Sequence, residues 1–131
     1  MKVYIAVKFH DDARNRKLIE VVSSALEENG FEPVCFVRDY ERYGKVKFSA
    51  EEMVEKALAA IKDSDLLVLD LTEKGVGLGI EAGFAHANNI PIITIAKENS
   101  DISKTLEGIS KRVIFYNNPE ELPEKLRGIN D

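Results

Sequence analysis

The sequence predicts a three-layer α/β fold, a five-stranded parallel sheet covered by helices on both faces. Three observations carry this. Five short apolar runs are apolar at consecutive positions, as strands buried on both faces are. The segments between them are helical in periodicity or in their capping residues. The two kinds of segment alternate along all 131 residues, and strands joined by helical crossovers are parallel.

The elements follow in order. Val3 to Phe9 is β-branched and aromatic and reads as a buried strand. His10 to Arg16 is a charged connection. In the helix that follows, Leu18, Val21, Val22, Ala25 and Leu26 mark one apolar face and Gly30 supplies the stop. Pro33 to Val37 is the second strand. Arg38 to Phe48 reads as a loop mixing basic residues with Tyr40, Tyr43 and Phe48. It is either a solvated loop or subunit contact, or a lid closing over a base or an anion. Ser49 to Glu52 is a capping box, opening a helix to about Lys62 with Met53, Ala57, Ala60 and Ile61 inward. Leu66 to Leu71 is the third strand. Gly75, Gly77 and Gly79 break it, and an Ala-rich helix runs to Asn88 with Glu81 expected in its first turn. Pro91 to Ala96 is the fourth strand, Ser100 to Gly108 a short helix or turn, and Arg112 to Tyr116 the fifth strand. Asn118-Pro119-Glu120-Glu121 caps a last helix that Pro123 shortens or kinks. This order suggests a flavodoxin-like or Rossmann-like arrangement over a single domain, 1–131. Its ligands bind outside the carboxyl ends of the strands.

Composition narrows the function. Hydrophobic residues at 44% and charged residues at 31% are ordinary for a soluble globular chain. A net charge of −5 supplies no footprint for a nucleic-acid polymer. The single Cys35 permits no internal disulfide, which fits a cytoplasmic setting. No apolar stretch reaches the ~20 residues of a membrane span. His10, His86 and Cys35 lack metal-ligand spacing, so neither a metal nor another cofactor is expected. Gly75 to Gly79 is no phosphate loop of the Lys-Ser/Thr kind and only a weak dinucleotide fingerprint.

The chemistry therefore centres on Asp65 to Ala87. A strand, a glycine-rich turn and a helix make a cradle for a small anionic or sugar-bearing ligand. Taken alone, Glu81 is either a first-turn residue complementing the helix dipole or a nucleophile for an anomeric carbon.

Val76-Gly77-Leu78-Gly79-Ile80-Glu81-Ala82-Gly83-Phe84-Ala85 closely resembles the signature of the nucleoside 2-deoxyribosyltransferase superfamily, which includes hydrolases of 2'-deoxynucleoside 5'-monophosphates. The resemblance implies cleavage or transfer at the N-glycosidic bond of a small-molecule nucleoside or nucleotide. Glu81 would be the nucleophile of a covalent glycosyl-enzyme intermediate. Val3-Tyr4-Ile5-Ala6 resembles the family's first strand, with Tyr4 near the catalytic carboxylate and Ala6 at the substrate. Thr105 falls where the family has a polar residue for the sugar 5' end, in some members in a neighbouring subunit. Lys8, Gly75, Gly77 and Gly79 complete the expected substrate contacts, and a homodimer or higher homo-oligomer is implied.

The chain also departs from that pattern. The family's base-assisting Asp falls at Ala57, and Glu55 lies about 200° around the helix from it. Asp70 is the expected stand-in. Lys8, Arg14 and Arg16 could meet a phosphate, with Asp11 and Asp12 opposing it. Ala57 keeps a second function open, a nucleotide-binding or sensing domain without turnover. A phosphoacceptor receiver domain built on Asp11, Asp12 and Asp70 is weaker, and so is kinship with Toll/interleukin-receptor-like NAD-cleaving domains.

Overall fold

The computed structural model describes residues 1–10 and 12–131. Its strands are β1 (Lys2–Ala6), β2 (Glu32–Val34), β3 (Leu66–Asp70), β4 (Ile92–Lys97) and β5 (Arg112–Tyr116). They form one parallel sheet in the order β2-β1-β3-β4-β5. The helices are α1 (Arg16–Glu28), α2 (Ala50–Lys62), α3 (Val76–Ala87), α4 (Lys104–Ile109) and α5 (Leu122–Lys125). Flavodoxin-like sheets have this order, and the chain reverses direction across the sheet between β1 and β3.

Alternation along the strands builds two cores. Val3, Ile5, Leu66, Val68, Ile93 and Ile95 meet Ile19, Val22 and Leu26 of α1 and Leu122 of α5. Tyr4, Ala6, Leu67, Leu69 and Ile92 face the other way, onto Ala57, Ala60 and Ile61 of α2 and Leu78, Ala82 and Ala85 of α3. The face of β1 that carries Tyr4 and Ala6 is therefore the face covered by α2 and α3.

Several boundaries differ from those expected. β1 ends at Ala6 because β2 and β3 offer it no partner further on; β3 pairs it only as far as Leu69. Val7 to His10 runs on without strand structure, and Phe9 is 52% exposed. β2 stops at Val34, and Phe36–Tyr40 is a π-helical turn instead of strand end and loop. Asp39 drives that turn: its backbone N–H donates to the Cys35 carbonyl at 2.8 Å, and its carboxylate accepts from the Cys35 N–H at 2.9 Å.

The rest of the Arg38 to Phe48 segment is pinned down. The Tyr43 hydroxyl donates to Glu20 at 2.5 Å, Arg16 lies 4.3 Å over the Tyr43 ring, and Phe36 packs against Tyr40 and Phe48. The capping box at Ser49 and Glu52 forms as expected. The last helix is shortened, as a 3-10 turn at Pro119–Glu121 leads into the brief α5. Among the described residues, no helix is long and apolar enough to cross a membrane.

Candidate active site

A cavity of about 330 Å³ opens at the carboxyl ends of β1 and β2, in the size range of small-molecule sites. Four pieces of chain wall it: Tyr4 to Phe9, Cys35 to Val37 with Glu41, α2 from Met53 to Leu58, and the start of α3 from Gly75 to Glu81. The lining is chiefly apolar. Among the described residues its titratable side chains are those of Tyr4, Lys8, Cys35, Glu41 and Glu81.

Glu81 and Tyr4 meet in this cavity, the Tyr4 hydroxyl donating to Glu81 Oε2 at 3.1 Å. The contact follows from the fold. Tyr4 points to the α3 side of the sheet, and Glu81 flanks the buried stripe of Leu78, Ala82 and Ala85. Burial pushes the Glu81 carboxyl up to about 7, opposed by the Tyr4 hydrogen bond. Burial, reinforced by the Glu81 charge, also keeps the Tyr4 phenol protonated well above its usual range. The pair is thus a carboxyl group near neutrality beside a permanent hydrogen-bond donor.

The helix dipole has no part in this. α3 begins at Val76, so Glu81 lies in the second turn and not the first, beyond the reach of the N-terminal charge. Gly75 is the N-cap of α3 and makes no side-chain cap. That leaves the first backbone N–H groups of the helix open at the cavity. The Lys8 side chain lies against Gly75, its Cγ 3.6 Å from where a Cβ would stand. Lysine and helix start together suit an anion.

Of the other expected residues, Ala6, Gly75 and Gly77 line the cavity with Lys8. Gly79 does not, although its α3 neighbours Leu78, Ile80 and Glu81 do. A Cβ on Gly77 would meet no protein atom within 4 Å, so packing gives no reason for a glycine there. Ala57 lines the cavity with its methyl group.

Asp70 is not brought to the cavity. Its carboxylate is buried, accepting the Tyr116 hydroxyl at 2.7 Å and the Thr72 N–H at 2.8 Å. Burial raises its pKa against those two hydrogen bonds. The expectation of an acid at the departing base fails there for want of access. Thr105 is exposed on α4 and lines no wall of this chain's cavity. Arg14 pairs with Asp12 at 3.1 Å and Arg16 covers Tyr43, which leaves Lys8 as the cavity's cation; Asp11 lies outside the described residues. His86 is exposed.

Glu41 was missed. It sits in a turn without periodicity, and only its sign of charge in a basic, aromatic segment could have drawn notice.

Fold, sheet-end cavity and part-buried carboxyl–tyrosine pair are those of a small-ligand α/β domain. The sequence profile of the family described as Nucleoside 2-deoxyribosyltransferase matches residues 3–121. The chain belongs to that family.

Two relatives and one further fold match are informative. A protein of Thermofilum pendens, named for a proposed 2'-deoxynucleoside 5'-phosphate N-hydrolase activity, is 25% identical over 132 residues, spanning 96% of this chain and 92% of its own. The structure of the CMP N-glycosidase BcmB of Clostridium botulinum superposes with a TM-score of 0.69 at 27% identity, over 96% of this chain and 97% of that one. A 2-deoxyribosyltransferase from Bacillus psychrosaccharolyticus gives a TM-score of 0.74 over 94% and 90% of the two chains. At 16% identity that match speaks to the fold alone.

Proposed function

We propose that the protein cleaves or transfers at the N-glycosidic bond of a nucleoside or nucleoside 5'-monophosphate, with Glu81 as nucleophile. The Glu81–Tyr4 hydrogen bond inside the cavity carries the reading. A carboxylate in contact with a sugar-sized space can attack C1' and hold the sugar as an ester until water or an acceptor displaces it. Tyr4 favours the ionised, attacking form and fixes its direction. Gly77 leaves room for the sugar to approach the backbone. Lys8 and the open N–H groups at Gly75 to Gly77 would hold a 5'-phosphate. The names of the Thermofilum and Clostridium proteins support a monophosphate over a free nucleoside.

Homo-oligomerisation belongs to this reading. Val54, Val76 and Ile80 line the cavity and are also exposed, at 47%, 83% and 55%. A second copy covering them would close the mouth and could supply a Thr105 to it. Light scattering after size exclusion tests this, a monomer at all concentrations being the contrary result.

The activity is tested by incubating the chain with nucleosides, 2'-deoxynucleosides and their 5'-monophosphates and following free base. Base appears with the wild type and not with Glu81→Ala. Turnover surviving in Glu81→Ala would remove Glu81 from the mechanism. A second reading, binding without turnover, draws on the methyl group of Ala57 at the cavity wall. Nucleotide-dependent thermal stabilisation with no base released would favour it.

A further inference from the structure

We propose that Glu41 is a second catalytic carboxyl, the general acid that protonates the departing base; this rests on the N-glycosidic reading above. The cavity holds two carboxyl groups, and they stand at different walls. Glu81 lines this cavity alone. Glu41 lines both it and a second hollow of about 250 Å³, sharing Phe9, Val37 and Met53 as common wall. With an anion at Lys8 and Gly75 and the sugar at Glu81 and Tyr4, the apolar end near Phe9, Val37 and Met53 is left for a flat base. Glu41 is the carboxyl on that wall.

Elimination agrees. Among the cavity's described titratable groups, Tyr4 is committed to Glu81, and Lys8 lies against Gly75 and, as an ammonium, suits the anion rather than the base. The Cys35 thiol is buried and pushed up to about 11. Ala57 has no proton to give.

The backbone presents Glu41 for this task. Its N–H donates to the Phe36 carbonyl, and its own carbonyl accepts from Gly44 and Val46 at 3.0 and 2.9 Å. Its carboxylate accepts no hydrogen bond from a described residue. Burial raises its pKa, and only Lys47 opposes that. Directly after it, Arg42, Tyr43 and Gly44 have φ of 47°, 55° and 93°. Two consecutive non-glycine residues in the left-handed region cost about 1–2 kcal/mol each. The Tyr43–Glu20 bond and the Arg16–Tyr43 stack hold them there. Strain kept at one place in the wall fixes where the Glu41 side chain starts.

The step balances as follows. A Glu81 oxygen forms the bond to C1', and the C1'–N bond breaks with its electron pair going to the base. The Glu41 proton moves to the base, giving neutral free base, a glycosyl ester on Glu81 and a Glu41 carboxylate. Water then attacks C1', passes its proton to Glu41, and Glu81 leaves as carboxylate.

The test compares two leaving groups. One is the natural base of a 2'-deoxynucleoside 5'-monophosphate that the wild type cleaves. The other is para-nitrophenolate on the same 2-deoxyribose 5'-phosphate, which departs without a proton. Glu41→Gln is expected to lower kcat/KM for the nucleotide by about 10²–10⁴-fold, the usual worth of a general acid, while kcat/KM for para-nitrophenolate release, set by the first step alone, changes by less than about threefold. Glu41→Ala is expected to show the same split, and its thermal melt reports whether the turn still folds. Equal losses on both substrates, or no loss on either, would overturn the assignment and leave the role of Glu81 standing. If the wild type cleaves neither substrate, the reading beneath the proposal fails and the proposal falls with it.

Discussion

Glu81 is a carboxyl group kept where its charged form is costly. Burial moves it from 4.5 to about 7, and the hydrogen bond from the Tyr4 hydroxyl offsets part of that rise. Only the carboxylate attacks, so kcat/KM for the para-nitrophenyl substrate, whose leaving group needs no proton, should rise with pH through about 7 as Glu81 ionises. Tyr4→Phe removes the donor that favours the charged form. The acidic limb should then move to higher pH, and kcat/KM on the plateau should fall about tenfold, the worth of a hydrogen bond to a charged group. An unmoved limb in the pH profile would show that Tyr4 does not tune the carboxyl.

The same shift has a consequence for stability, with a definite sign. The folded state binds the Glu81 proton more tightly than the unfolded chain, so the group disfavours folding increasingly between about pH 4.5 and 7. Glu81→Gln should stabilise the protein above about pH 7, by up to about 3 kcal/mol, and leave it unchanged at about pH 4. Thermal melts at the two pH values check this. A residue whose removal stabilises the fold while ending turnover is held for function.

At the scale of elements, α3 is the telling one. It opens on an uncapped glycine and carries Gly77, Gly79 and Gly83, a poor helix by propensity. Gly77→Ala meets no protein atom and improves the helix by up to about 1 kcal/mol. The melting temperature should hold or rise while KM for the nucleotide increases. A lower Tm with unchanged KM would mean that the glycine serves packing and not a ligand.

The strands and α3 were readable from sequence because doubly buried strands are continuous apolar runs. The end of β2 was not. Phe36 and Val37 are as apolar as a strand demands, and the π-helical turn that takes them is set by the bonds between Asp39 and Cys35, which no periodicity reports. The helix start misled as well: three glycines look like a loop, yet two of them lie inside α3, which moves Glu81 one turn inward.

For the whole molecule, the parallel sheet with α2 and α3 on one face places the cavity at the end of β1, and the alternation of β1 places Tyr4 in its wall. This much follows from pattern. That Glu81 would sit near Tyr4 came from resemblance, since 77 residues separate them. The partner of Asp70 was hidden for the same reason: Tyr116 lies 46 residues on, and their bond ties β3 to β5. Asp70 stands as a structural group in this account. Asp70→Asn turns one of two acceptors into a donor facing Tyr116 or Thr72, and should cost about 1–3 kcal/mol by thermal melt with kcat per folded molecule unchanged. A large loss of kcat in a fully folded variant would return Asp70 to the chemistry.

The central claim is that Glu81 carries the sugar during turnover. Intact-mass and peptide-mapping spectrometry with a 2'-fluoro-arabino nucleoside 5'-monophosphate, whose fluorine slows release of the ester, addresses it directly. One added sugar phosphate per chain is expected, mapped to Glu81, with an equivalent of base set free. Base set free with the sugar found on another residue would contradict it.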